Sequence, residues 1–172
     1  GQQKMIAQYN CSGDWAFYLE GDEVLHESEL PQIHEAMKAS LDDERVEALY
    51  FNFFHFYGTP HQLGIAGYRK APRIIRNTVR SIAPDGLFFV VLDKNKRGRY
   101  PRAVSAGANI YHYGHCRSVQ KMNEKLSQVG RYWGDLHSVF EGYGSIDNAE
   151  LRSFTGSHPA VMKSWLEKEA ET

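Results

Sequence analysis

Cysteine is scarce in this chain. Cys11 and Cys116 are the only two in 172 residues, with no C-x-x-C spacing, so neither a disulfide framework nor a cysteine-based zinc site is available. Long hydrophobic runs are missing too. The longest, Leu87 to Leu92, has six residues against the roughly 20 that span a bilayer, and the N-terminus lacks a charged-then-apolar leader pattern. Charge of one sign is also absent. The formal balance of −1 offers no general attraction to nucleic acid or anionic lipid, so any phosphate affinity must be local. The motifs G-x-S-x-G, G-x-x-x-x-G-K-S/T, H-E-x-x-H and G-x-G-x-x-G do not occur, nor do internal repeats or low-complexity tracts. These gaps lead us to expect a soluble, cytoplasmic protein with no membrane span and no nucleic-acid partner.

Hydrophobic residues make up 42% of the chain and aromatic ones 13%, enough for a folded core rather than a disordered tail. Nothing resembling a linker divides it, so a single domain over 1–172 is expected. Met5, Ile6 and Tyr9 have helical spacing, and Ser12-Gly13 stops that helix before an apolar strand over Asp14 to Leu19. Leu30, Ile33, Met37 and Leu41 predict an amphipathic helix over Glu27 to Leu41, with Pro31 in its first turn and Ser28 as N-cap. Val46 to Tyr57 is nearly continuously apolar, as a central strand covered on both faces would be. Tyr57-Gly58-Thr59-Pro60 reads as its break. Further strands are expected over Arg73 to Thr78, Leu87 to Leu92 and Ala108 to Tyr113, with turns at Pro84-Asp85-Gly86 and Arg97-Gly98. Helices are expected over Arg117 to Trp133 and His158 to Glu169. The order implies α/β architecture with a mixed sheet.

Three kinds of constellation could carry chemistry. Glu20-Gly21-Asp22-Glu23 follows directly on the Asp14 to Leu19 run, and carboxylates at i and i+2 share a side of an extended backbone. Such a pair reads either as a hard-cation site or as a solvated acidic turn. His55-Phe56-Tyr57-Gly58 and Tyr111-His112-Tyr113-Gly114-His115 each put histidine and tyrosine where a strand gives way to glycine, a frequent place for site residues on open α/β sheets. Arg69, Lys70, Arg73, Arg76 and Arg80 form a basic stretch suited to phosphate or carboxylate. Lys94, Lys96, Arg97, Arg99 and Arg102 form another, and both read equally as solvated charge.

In order, these pieces resemble a known family. Gly13-Asp14-Trp15 through Glu20-Gly21-Asp22-Glu23-Val24-Leu25 is similar to the D-x-D region of inverting, family-2-type bacterial glycosyltransferases of GT-A fold. His-Phe-Tyr-Gly at 55–58, Arg-Ile-Ile-Arg-Asn at 73–77 and Tyr-His-Tyr-Gly at 111–114 have similar counterparts there, so the resemblance runs from about Gln2 to about Lys125. It implies a partial GT-A-like mixed sheet flanked by helices, and transfer of a sugar from a nucleotide-sugar to a surface-polysaccharide acceptor. By position, Glu20 and Asp22 would hold magnesium or manganese with His112 as a further ligand, and Glu23 would be the candidate base. Arg73, Arg76, His55 and Tyr57 would line the substrate. Glutamate in place of the first aspartate departs from the family pattern. So does the start of the chain: Gly1-Gln2-Gln3 leads straight into the helix before the D-x-D strand, and the Rossmann-like half that grips base and ribose is lacking. The resemblance therefore implies weak or undetectable donor binding and no catalysis by this chain alone, with self-association or a complementing N-terminal polypeptide covering the sheet edge that the missing half leaves open. The alternative is a non-catalytic, self-associating module of glycosyltransferase descent. A metal-dependent hydrolase using Glu20, Asp22 and His112 would need further carboxylate and histidine motifs.

Overall fold

The computed structural model describes residues 2–65, 67–83, 89–133, 139–145 and 148–170. In chain order these form α1 (Gln2–Tyr9), β1 (Trp15–Phe17), β2 (Glu23–Leu25), α2 (Leu30–Ala39), β3 (Ala48–Tyr57), β4 (Thr59–Gly64), β5 (Lys70–Arg76), β6 (Ser81–Ile82), β7 (Val90–Leu92), β8 (Gly98–Arg99), β9 (Ala103–His115), α3 (Val119–Trp133), β10 (Leu151–Ser153) and α4 (Lys163–Ala170). The class is mixed α/β, with a seven-stranded mixed sheet and a three-stranded antiparallel one, β6-β7-β8. The expected Pro84-Asp85-Gly86 turn and the start of the Leu87 to Leu92 run lie outside the described residues. Two compact units emerge, one drawn from 1–21, 25–53 and 68–110, the other from 22–24, 54–67 and 111–172.

In the first unit β5 lies between β1 and β3, antiparallel to both. Successive residues of β3 serve two cores, as the continuous apolar run requires. Leu49, Phe51 and Phe53 pack with Ile33, Ile74, Ala106, Ala108 and Ile110, while Ala48 packs with Ala16, Ile75 and Phe89. The helix expected over Glu27 to Leu41 begins as a 3-10 turn, Glu27–Glu29, before α2 proper. Its cap is His26, not Ser28: His26 Nδ1 accepts the Ser28 backbone N–H at 3.2 Å. An imidazole nitrogen fills the orphan-donor role usually given to a hydroxyl.

In the second unit β4 pairs antiparallel with the end of β3 and with β10. The expected break at Tyr57-Gly58-Thr59-Pro60 is therefore a hairpin. Gly58, at φ +70°, supplies the left-handed residue that so tight a reversal needs, and Pro60 is accommodated within β4. The core is aromatic: Phe56 stacks on Tyr113 at 4.6 Å and meets Phe154 edge-on at 5.0 Å. Tyr111, Cys116, Met162 and Trp165 complete it. β9 extends well beyond the expected Ala108 to Tyr113, and α3 matches its expected span within two residues.

Candidate functional site

Asp22 sits just before β2, held by backbone: the Tyr113 N–H donates to the Asp22 carbonyl at 2.9 Å. This places the Asp22 carboxylate beside the end of β9, where His112, Gly114 and His115 follow one another. His112 Nε2 lies 3.7 Å from Asp22 Oδ1. A Cβ on Gly114 would stand 2.5 Å from His112 Nε2 and 2.6 Å from Asp22 Oδ2. A side chain there would have to displace both groups, which gives the glycine of Tyr-His-Tyr-Gly a physical reason.

Two cations converge on the same carboxylate. Lys125 Nζ, from α3, is 3.4 Å and Arg117 Nη2 is 3.6 Å from Asp22 Oδ2. Both also donate to the Gly114 carbonyl, Lys125 Nζ at 3.1 Å and Arg117 Nε at 3.1 Å. Tyr143 fixes the backbone of Arg117, its hydroxyl donating to the Arg117 carbonyl at 2.8 Å.

The histidines form a chain. His55 Nδ1 and His112 Nδ1 are 2.9 Å apart, His112 meets the His115 ring edge-on at 5.4 Å, and Tyr57 stacks on His115 at 5.5 Å. Burial pushes His112 down to about 3; the Asp22 charge opposes this, while His55, His115 and Lys125 add to it. His115 is pushed down to about 4, again chiefly by burial, with Lys125 and His55 adding. Both rings are therefore neutral at neutral pH. Burial works against the ionised form of Asp22, but the charges of His112, Lys125 and Arg117 outweigh it and hold its pKa below the ordinary carboxylate value. With His112 uncharged at neutral pH, Lys125 and Arg117 supply the positive charge there. The carboxylate beside Nε2 favours the tautomer with its proton on that nitrogen, leaving His112 Nδ1 to accept from His55.

The other sequence-named residues lie elsewhere or are committed to the protein's own groups. Glu20, in the first unit, is ion-paired with Lys4 at 2.9 Å and lies 3.9 Å from the Arg73 guanidinium. Arg73 is fully buried, donates to the Pro72 carbonyl and covers the Phe53 ring at 5.0 Å. Arg76 gives its donors to the carbonyls of Val46, Leu41, Ser40 and Asp43, at 2.7 to 3.1 Å. It also stacks over Trp15 at 4.5 Å. Glu23 opens β2 and is buried. Of the second basic stretch, Arg99 and Arg102 clamp buried Glu47 at 2.7 and 3.0 Å.

The residues present do not fit a divalent cation. Among the described residues no group of three or more His, Cys, Asp or Glu is disposed to hold one, and a hard cation needs several oxygen ligands. Glu20 and Asp22 are each matched with side-chain cations instead. Sequence reasoning placed Gly114 and His115 in a strand-end constellation without a specific role and did not single out Arg117 or Lys125. The density of His112, His115 and Arg117 around one glycine was the available signal, whereas Lys125 looks like any solvated helix lysine. Comparison with protein-family models, curated proteins and solved structures finds no match.

Proposed function

We propose that this chain carries the diphosphate-handling part of a glycosyltransferase of GT-A type, acting on a nucleotide-sugar and a polysaccharide acceptor. One observation carries the reading. Asp22 and His112, which the resemblance assigns to a single site from distant parts of the sequence, stand 3.7 Å apart with Gly114 clearing the space between them. When the bond from the anomeric carbon to the phosphate oxygen breaks, the nucleoside diphosphate leaves with the electron pair. Positive charge fixed beforehand at that point lowers the barrier, and Lys125 and Arg117 are such charges. His112 borders it as a neutral hydrogen-bonding group, with His55 and Tyr57 behind it.

Ligand-observed NMR with UDP-, GDP- and dTDP-sugars tests this. Weak binding of at least one donor is expected, lost in His112→Ala. No saturation transfer to any of the three at millimolar concentration would sink the reading.

A second reading, the self-associating module, has its own support. β1 is an end strand of the large sheet, and Phe17 and Leu19 are 40% and 39% exposed. An apolar edge of this kind invites strand pairing with a second copy. Sedimentation at high micromolar concentration should then show a dimer that Phe17→Lys dissociates. A monomer throughout would remove it.

A further inference from the structure

We propose that the Asp22 site binds a diphosphate directly, without a divalent cation, through the Lys125 ammonium and the Arg117 guanidinium. This rests on the transferase reading above and specifies how its leaving group is held.

The geometry supplies the argument. Both cations are anchored at 3.1 Å on one acceptor, the Gly114 carbonyl, so β9 holds them independently of the longer Lys125 and Arg117 contacts with Asp22. Their distances to Asp22, 3.4 and 3.6 Å, exceed the 2.7–2.9 Å of a well-formed charge-assisted bond. The carboxylate is thus only loosely engaged. Two cations face one anion, which leaves an excess of one positive charge among these three side chains. Lys125 and Arg117 keep 31% and 36% of their side chains exposed, so a solvent-borne anion can reach them. α3 begins two residues after Arg117 with no acidic residue in its first turn, and the positive end of its dipole reinforces the field. A divalent ion would have to sit about 2.0–2.6 Å from the Asp22 oxygens, close to both side-chain cations and repelled by each. A guanidinium fork and an ammonium, by contrast, match phosphate oxygens.

Calorimetry with inorganic pyrophosphate, in EDTA and again in manganese, separates the alternatives, with circular dichroism confirming that each variant is folded. The expected result is binding in EDTA that Lys125→Gln and Arg117→Gln each weaken about tenfold or more, that Lys125→Arg restores in part, and that Lys121→Gln on the same helix leaves unchanged. Asp22→Asn is the decisive variant. Removing the competing carboxylate should tighten pyrophosphate binding several-fold, whereas a cation-bridged site would lose it. Binding that requires manganese and disappears in Asp22→Asn overturns this inference and leaves the transferase reading standing. Binding indifferent to Lys125 and Arg117 also overturns it. If neither pyrophosphate nor UDP, GDP or dTDP binds with or without metal, the inference and the reading both fail.

Discussion

Gly114 shapes its surroundings by having no side chain. Its would-be Cβ overlaps His112 Nε2 and Asp22 Oδ2, so Gly114→Ala must push both of them aside. Overpacking of this kind costs about 1–3 kcal/mol. The expected outcome is a lowered unfolding midpoint together with altered chemical shifts of the His112 ring, read by thermal denaturation and by NMR of the imidazole. An unchanged His112 environment would contradict the close approach. Glu47 offers a pH-dependent counterpart. The side-chain hydrogen bond from Arg99, opposed by burial and aided by the Arg102 backbone N–H and both charges, holds it down at about 2. A carboxylate depressed below its unfolded value contributes stability above that value and loses it as pH falls through the folded one. The window is thus from about 4.5 down to about 2. Because Arg99 and Arg102 are 40% and 60% exposed, solvent screening limits the contribution to about 1–2 kcal/mol. Glu47→Gln should therefore be less stable than the parent at pH 7, and the gap should close between pH 4.5 and 2 in denaturant titrations.

At the scale of elements, Arg76 ties secondary structure together. From β5 it reaches the carbonyls of Ser40, Leu41, Asp43 and Val46, closing the chain between α2 and β3. Arg76→Met keeps much of the apolar stem but leaves those acceptors to water, and a loss of about 2–4 kcal/mol is expected. Urea denaturation measures it, and hydrogen exchange should show the 40–46 segment opening first. From sequence, Arg73 and Arg76 looked like one basic stretch. Alternation along β5 sends Arg73 into the core beside Phe53 and Arg76 to the backbone carbonyls, a division that depends on strand neighbours. β4 was illegible for a related reason. Thr59-Pro60-His61-Gln62 has little strand propensity and forms a strand because β3 and β10 offer it ladders on both sides. α1, α2, β3 and α3 were legible because their apolar spacing is local.

For the molecule as a whole, sequence alone determined the mixed α/β class, the aromatic central strand, the lack of an apolar run long enough to cross a membrane, and Asp22 and His112 as residues of interest. Composition and short-range periodicity carry the class and the strand, since burial of an apolar stripe requires a repeat visible within one element, whereas Asp22 and His112 stood out through their strand-end motifs and the resemblance. Only tertiary structure decided which charges meet. Glu20 and Asp22, two residues apart, take different partners, Lys4 for one and Lys125 with Arg117 for the other. Lys125 acquires its role from a strand that ends before its own helix begins. Electrostatic interaction depends on distance in space and on burial, and neither is written in sequence spacing.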